Sequence, residues 1–224
     1  MNTKFDNLQL MFSNKSLLDL ALTHRSWVNE HKGARTSNER LEFLGDAVLE
    51  FVVSRELYET FPSKDEGYLT ALRASLVNTT SLAQVAADLD IGAVIYLSKG
   101  EEDGGGRNNT SLLADTVEAI IGALFIDGGL LPTEKFIDQN LLFDLKERAE
   151  LPLKDPKSQL QELVQSKGLS APRYKVIEES GPDHNKKFVI EVYINGKAAG
   201  RGEGKSKSLA EQEAARQALT KKVK

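Results

Sequence analysis

The spacing of apolar residues changes near Leu153, and this change limits what the 224-residue chain can fold into. Before that position, apolar residues recur three and four places apart, which is the spacing of a helix that buries one side. Beyond Pro156, a helical segment is followed by alternating apolar residues that end at Asn195-Gly196, a dipeptide typical of tight hairpin turns. The pattern predicts an all-α domain followed by a small α+β domain with the order α-β-β-β-α.

The chain is predicted to form two domains, residues 1–150 and 157–224, joined by a linker over 151–156. Apolar spacing in the first domain predicts helices throughout. The third helix begins after Asn38, a residue type favoured as an N-cap. The predicted helices of this domain span about 3–12, 16–22, 38–60, 66–76, 78–89, 110–127 and 133–149.

In the second domain, a helix over about 156–167 is followed by three strands and a last helix. The last helix spans about 206–222, and its start contains Ser208 and Glu211, which have the spacing of a capping box. The predicted strands span about 173–179, 188–194 and 197–203.

Charge is divided unequally between the two halves. Residues 154–224 hold 15 Lys and Arg against 9 Asp and Glu, a net charge of +6, so residues 1–153 carry −10 within the total of −4. An acidic half that collects cations and a basic half that meets a polyanion such as nucleic acid would explain this division. Two solvated surfaces of opposite charge explain it equally well.

The chain contains no cysteine and only three dispersed histidines, which excludes disulfides, zinc knuckles and iron–sulfur clusters. A bound metal would therefore need oxygen ligands. No segment approaches the roughly 18 consecutive apolar residues of a membrane span, and the N-terminal residues lack the apolar core of a signal peptide. We therefore expect a cytoplasmic protein without a membrane partner.

Four acidic residues of the predicted 38–60 helix share one face. Glu39, Glu42, Asp46 and Glu50 fall within an arc of about 80° at 100° per residue. Gly45 lies among them, although glycine costs about 1 kcal/mol relative to alanine inside a helix, and this suggests that another backbone approaches there. An amphipathic helix with an acidic solvent side is the alternative explanation of these carboxylates.

The predicted 110–127 helix is apolar nearly all round, and Asp115 and Glu118 are its only interior charged residues. Burying two carboxylates costs several kcal/mol per ion unless cations neutralise them. A structural salt bridge to an arginine of another helix is one solution. A divalent metal shared with the Glu39 face is the other, and hard oxygen ligands favour Mg²⁺ or Mn²⁺. Such ions hold phosphate oxygens and activate water, so the second solution indicates phosphoryl chemistry.

The basic half offers three candidate contacts for the phosphates of a nucleic acid. The 156–167 helix presents polar residues on one side, and the loop over 181–187 presents a histidine. The segment 204–208 places lysines and backbone N–H groups at the start of the last helix, where phosphates bind well. Taken singly, each is also explained as ordinary solvent-facing surface. The candidate residues are Ser158, Gln161, Glu162, His184, Lys205, Ser206 and Lys207.

Several blocks of the sequence resemble one known family. The segment ERLEFLGDAVL, from Glu39 to Leu49, resembles the signature of the ribonuclease III family. The second half is similar to a double-stranded-RNA-binding domain, so the resemblance covers essentially the whole chain. Further blocks match in the same order: ALTHRSW at 21–27, DEGYLTALRASLV at 65–77 and LLADTVEAIIGALFIDGG at 112–129.

This resemblance implies a Mg²⁺-dependent endoribonuclease, with Mn²⁺ as a substitute, that cleaves double-stranded RNA to 5′-phosphate and 3′-hydroxyl ends in rRNA and mRNA processing. The main alternative is a catalytically silent double-stranded-RNA-binding or ribosome-associated protein, which should have lost a metal ligand. A phosphatase acting on small molecules would leave the basic half unexplained. The resemblance assigns metal binding to Glu42, Asp46, Asp115 and Glu118, with Asp46 and Glu118 as catalytic residues, and supporting roles to Glu39 and Glu66.

A homodimer through the catalytic domain is also expected. One carboxylate cluster serves one scissile phosphate, whereas a duplex presents two antiparallel strands, and a twofold axis of the protein would match that of the duplex. Phe43 is a large apolar residue that could pack across such an interface. A core phenylalanine is the alternative, and the family resemblance favours the dimer.

Overall fold

The computed structural model describes residues 4–151, 153, 155–182 and 186–221. The chain divides into two compact units, Met1–Leu151 and Pro152–Lys224. The first unit is helical and the second combines helices with a sheet, so the predicted fold class is confirmed. Among the described residues, no helix has both the length and the apolar character needed to cross a membrane.

The described part of the first unit is built from helices joined by short loops. They are α1 (Lys4–Leu10), α2 (Lys15–Ala21), α3 (Arg25–Glu30), α4 (Glu39–Thr60), α5 (Glu66–Leu76), α6 (Thr79–Asp88), α7 (Ile91–Val94), α8 (Lys99–Asp103), a 3-10 turn (Gly106–Asn108), α9 (Thr110–Gly128), α10 (Leu130–Asn140) and α11 (Leu145–Glu150).

Helix α9 is the centre of the first unit. It packs against α2, α4, α6 and α10, which explains why its sequence is apolar on nearly every side. Asn109 caps its start by accepting a hydrogen bond from the backbone N–H of Leu112 at 3.1 Å. Gly129, with φ of 74°, ends it in a conformation that favours glycine.

Several helix predictions for the first unit were wrong in detail. The predicted 133–149 helix is two helices, α10 and α11, because the chain turns at Leu141 and Leu142 to bury both side chains. Helices α3, α7 and α8 were not predicted, since each has six residues or fewer and is too short to show a helical period. Asn38 does stand at the N-cap of α4, but its side-chain amide donates to the Ala21 carbonyl oxygen at 3.0 Å instead of capping the helix.

The second unit is a three-stranded antiparallel sheet with two helices on one face. Its elements are α12 (Pro156–Ser166), β1 (Arg173–Ser180), β2 (Lys187–Ile194), β3 (Lys197–Gly204) and α13 (Lys207–Thr220), and the strand order is β1-β2-β3. Asn195 and Gly196 both have positive φ, 48° and 76°, as a two-residue hairpin turn requires. This confirms the predicted hairpin.

The core of the second unit lies between the sheet and the two helices. It contains Leu160 and Val164 of α12, alternate residues of β2 from Phe188 to Ile194, and alanines of α13. A Cβ atom on Gly202 would lie only 2.2 Å from the backbone nitrogen of Ala214, so glycine allows β3 to touch α13 directly. The capping-box prediction was wrong: Ser206, not Ser208, caps α13 and accepts from the Leu209 N–H at 3.2 Å.

Candidate metal centre and RNA-binding surface

Two glycines face each other where α4 crosses α9. A Cβ atom on Gly45 would lie 1.7 Å from the carbonyl oxygen of Glu118, and one on Gly122 would lie 2.2 Å from the carbonyl oxygen of Leu41. No larger residue fits at either position without moving a backbone. The predicted approach of a second backbone at Gly45 is therefore confirmed, and that backbone belongs to the helix that carries Asp115 and Glu118.

This crossing brings carboxylates of the two helices together. One carboxylate oxygen from each of Glu42, Asp115 and Glu118 lies within 4.8 Å of the other two. We call these three residues the carboxylate cluster. Asp46 is exposed on α4, one turn after Glu42, and does not lie within that distance of all three. Its negative charge nevertheless raises the pKa of both Glu42 and Glu118.

The electrostatics of the cluster disfavour three negative charges in the absence of a cation. Burial, followed by the charges of Asp46 and Asp115, raises the pKa of Glu118 to about 7. The pKa of Glu42 is raised by burial and by the charge of Asp115. Burial also raises the pKa of Asp115, and the nearby His24 opposes that rise.

No basic side chain neutralises the cluster among the residues that the structure describes. No ion pair within 4.0 Å joins Glu42, Asp115 or Glu118 to a lysine, arginine or histidine there. The structural salt bridge considered for α9 is thus not found in this part of the chain. Because the ligand atoms are carboxylate oxygens that converge without a counter-ion, the arrangement fits a hard divalent cation.

Two other acidic residues of the α4 face, Glu39 and Glu50, are already paired. Glu39 forms an ion pair with Arg25 at 3.2 Å and accepts a hydrogen bond from the Ser37 hydroxyl at 2.7 Å. Glu50 pairs with Arg73 at 2.7 Å. Glu39 and Glu50 therefore differ from the three residues of the carboxylate cluster, which form no ion pair among the described residues.

Two residues of the ALTHRSW block interact with acidic residues of this region, although no site role was predicted for either of them. The His24 side chain caps α3 by accepting from the Ser26 N–H at 3.2 Å, and its charge acts on Asp115. Arg25 is the partner of Glu39. This block belongs to the family resemblance, but its own sequence does not indicate which carboxylates, far away along the chain, its residues contact.

The predicted RNA contacts on α12 are exposed, and one of them has a structural role. Ser158, Gln161 and Glu162 all lie on the surface of that helix. The Ser158 hydroxyl donates to the Asp155 carboxylate at 2.7 Å, and Asp155 in turn caps α12 and accepts from the side-chain amide of Gln212 at 2.8 Å. His184 lies outside the described residues.

One lysine at the start of α13 lies close to the loop end of the β1–β2 hairpin. Lys205 and Lys207 are exposed, and Ser206 between them is the N-cap. The Lys207 Nζ atom is 4.0 Å from the Glu179 carboxylate, which also accepts a hydrogen bond from Lys186 at 2.9 Å. The structure therefore joins two of the three predicted RNA-contacting segments, the hairpin and the start of α13, through Glu179.

Comparison with known proteins identifies the family. A model described as "Ribonuclease-III-like" matches residues 14–145, and one described as "Double-stranded RNA binding motif" matches residues 156–222. The protein named Ribonuclease 3 from Geobacillus sp. (strain WCH70) is 49% identical, with 97% of this chain and 91% of the relative covered. The chain belongs to the ribonuclease III family. It is an endoribonuclease with a metal-dependent nuclease domain and a double-stranded-RNA-binding domain.

Other ribonuclease III proteins agree in sequence and in structure. Ribonuclease 3 from Halalkalibacterium halodurans is 48% identical, with 95% of this chain and 81% of the relative covered. Among solved structures, a nuclease domain of ribonuclease III from Campylobacter jejuni is 42% identical, with 61% of this chain and 96% of that chain covered, at a TM-score of 0.55. That Campylobacter nuclease domain is described as structurally flexible in a region involved in its dimer formation.

Within one chain of this ribonuclease III, Glu66 lies far from the carboxylate cluster. It stands at the start of α5, accepts a hydrogen bond from Thr70 at 3.2 Å, and lines a cavity of about 440 Å³ together with Leu57 and Tyr58. Leu57 follows Glu42 by 15 residues, or about 22 Å along α4. Within one chain, Glu66 therefore lies too far from the carboxylate cluster for the supporting role that was predicted for it.

Proposed function

We propose that the chain holds Mg²⁺ with Glu42, Asp46, Asp115 and Glu118, and that it cleaves double-stranded RNA to 5′-phosphate and 3′-hydroxyl ends during rRNA and mRNA processing in the cytoplasm. Asp46 and Glu118 are its catalytic residues, and Mn²⁺ can replace Mg²⁺. The observation that carries the proposal is the convergence of the carboxylate cluster without a counter-ion among the described residues.

The ligand chemistry supports Mg²⁺ over softer metals. Carboxylate oxygens suit Mg²⁺ and Mn²⁺, and the chain has no cysteine that would favour zinc. Such an ion would supply Lewis-acid chemistry, by polarising a phosphodiester and lowering the pKa of water, so no protein nucleophile would be required. A catalytically silent protein would not need to keep three converging, unpaired carboxylates, two of them partly buried, so the cluster argues against that alternative.

The protein side chains contribute charge and position. Glu118 must lose its proton to act as a ligand, and its pKa of about 7 means that this occurs near neutral pH. Asp46, exposed beside the cluster, completes a set of four carboxylates that straddles the α4–α9 crossing. The contact between Gly45 and Gly122 sets the separation of the two helices that carry these carboxylates.

The RNA-binding surface that we propose comprises Ser158, Gln161 and Glu162 on α12, Lys205, Ser206 and Lys207 at the start of α13, and His184, which lies outside the described residues. Lys205 and Lys207 are exposed at a helix N-terminus, where side-chain and backbone donors both favour phosphate. We propose that the two domains comprise residues 1–150 and 157–224, and that residues 151–156 form the linker between them. Asp155 and Pro156 already belong to the start of α12.

Homodimerisation through the catalytic domain is the third part of the proposal. Helix α4 carries a stripe of exposed apolar residues, with Phe43 80%, Phe51 56% and Tyr58 73% exposed, within an arc of about 80°. The cavity beside Leu57 lies about 21 Å from Phe43 along this helix. A twofold axis near the middle of α4 would bring Phe43 of one chain to the cavity of a second copy, which supports an isologous interface.

A cleavage assay tests the enzymatic part of this proposal. A labelled RNA duplex is incubated with the full chain in Mg²⁺, in Mn²⁺ and in EDTA, and the same RNA in single-stranded form serves as the control substrate. We expect cleavage of the duplex only with a divalent metal, and products whose 5′ ends are removed by a 5′-phosphate-dependent exonuclease. Cleavage in EDTA, or products that end in a cyclic phosphate, would rule out the proposed chemistry.

A further inference from the structure

A carboxylate occupies the middle of the proposed phosphate-binding region. Glu179, near the end of β1, accepts a hydrogen bond from Lys186 at 2.9 Å and lies 4.0 Å from the Nζ atom of Lys207. The first of these contacts lowers the pKa of Glu179, so its side chain is ionised at neutral pH. All three side chains remain substantially exposed, at 41%, 37% and 59% respectively.

The register of the sheet explains why this carboxylate meets both lysines. Glu179 pairs with Phe188 on β2, and Phe188 belongs to the core face that packs against the helices. Glu179 therefore projects towards α13 and Lys207. Its neighbour Glu178 pairs with Val189 and projects from the opposite face of the sheet. Two adjacent, exposed glutamates thus carry the same charge on opposite faces.

We propose that Glu179 is an internal competitor for RNA phosphate: it pairs with Lys186 and Lys207 in the free protein and thereby lowers the affinity for duplex and sets its salt dependence. This inference rests on the proposed role of Lys207 in phosphate binding. Exposed ion pairs are weak, so a phosphate can displace the carboxylate. The displaced carboxylate stays close to the bound phosphate and repels it. Its uncompensated negative charge also retains a cation, so fewer of the counterions of the RNA are released in net terms on binding.

The test compares the full-length variants Glu179→Gln and Glu178→Gln, which remove the same charge from opposite faces. Duplex affinity is measured between about 0.05 M and 0.3 M salt, in EDTA to prevent cleavage. Glu179→Gln should bind about threefold more tightly at the lowest salt, and the gain should shrink as screening increases. The slope of its plot of log affinity against log salt concentration should increase in magnitude by up to about 0.7 to 0.9.

The matched controls separate competition from other effects. Glu178→Gln should change affinity much less, and Glu179→Gln should have no effect in a chain that already carries Lys186→Ala and Lys207→Ala. Weaker binding by Glu179→Gln would mean that Glu179 positions the lysines, and equal gains from both glutamine variants would mean a general charge effect. Either outcome overturns the proposal.

The same measurements distinguish a failure of the competitor role from a failure of the proposed RNA-binding surface. If Lys207→Ala leaves the salt slope unchanged, the phosphate assignment itself is wrong. If Lys207→Ala flattens the slope while Glu179→Gln behaves like Glu178→Gln, only the competitor role is rejected. Thermal melting of every variant checks that the second domain remains folded.

Discussion

Removal of the Glu118 carboxylate should separate chemistry from RNA binding. We expect Glu118→Ala to reduce cleavage in Mg²⁺ by roughly two to three orders of magnitude or more, because a metal contributes several kcal/mol to the transition state. Duplex binding should persist, since the proposed RNA-binding residues lie in the other domain. Single-turnover cleavage and filter binding measure the two properties on the same preparation. A folded Glu118→Ala variant that cleaves at nearly the wild-type rate would contradict the carboxylate mechanism.

The raised pKa of Glu118 also predicts how metal-free stability depends on pH. Its folded pKa, about 7, exceeds the ordinary value of 4.5, so its contribution to stability is present below pH 4.5 and is lost as the pH rises through 7. Glu118→Gln should therefore be more stable than wild type at pH 8, by about 1 kcal/mol after allowance for partial exposure. The two proteins should melt alike near pH 4.5.

Thermal melting in EDTA at both pH values measures this difference. Saturating Mg²⁺ at pH 8 should stabilise the wild type and not the glutamine variant, because the ion binds only the complete ligand set. A glutamine variant that is less stable than wild type at pH 8 in EDTA would show that ionisation of Glu118 does not destabilise the folded protein.

At the scale of elements, the α4–α9 crossing should tolerate no side chain at Gly45. The added methyl group of Gly45→Ala would lie 1.7 Å from the Glu118 carbonyl oxygen, so the two helices must move apart. We expect a loss of about 3 kcal/mol or more in the free energy of unfolding, at the upper end for overpacking. Cleavage should fall as well, since the carboxylates of the two helices separate.

Gly67→Ala in α5 is the matched control, because its nearest neighbour would be 3.6 Å away and the helix propensity of alanine is higher. This control should be neutral or stabilising by up to about 1 kcal/mol. Urea unfolding of both variants gives the comparison. Equal stability of Gly45→Ala and Gly67→Ala would show that the helices approach less closely than described.

At the scale of the whole molecule, a mixed dimer of one wild-type and one Glu118→Ala chain should nick a duplex instead of cutting both strands. Only one of its two clusters can then bind metal in the required geometry. Chains with different tags allow this dimer to be purified, and native gels distinguish nicks from complete cuts. Complete double-strand cuts from that preparation would exclude one active cluster per strand.

Phe43→Ala should weaken the same dimer, because the proposed interface buries its side chain. Phe143→Ala is the control, since Phe143 is 74% exposed and does not lie on α4. Sedimentation at micromolar concentration should give twice the 24.7 kDa of one chain for the wild type and the control, and a lower mass for Phe43→Ala. A wild-type mass near 24.7 kDa would exclude the dimer.

The sequence alone determined those features that depend on neighbours a few residues apart. Helical spacing placed α4 and α9 almost correctly, and Asn195-Gly196 placed the hairpin, because periodicity and turn chemistry act over one or two turns of the chain. The same local spacing indicated that Glu42 shares a face with Asp46, and that Asp115 and Glu118 needed a partner. Local signals were insufficient for α3, α7 and α8, which are too short to show a period.

Only the tertiary structure decided which distant residues meet. Gly45 and Gly122 are far apart in the chain, and their contact sets the distance between the carboxylates of α4 and α9. Likewise, the sheet register directs Glu179 towards Lys207 and Glu178 away from it, although the two glutamates are adjacent and identical. The physical reason is that helix crossings and strand registers depend on the packing of the whole core, whereas one sequence specifies directly only the preferences of short segments.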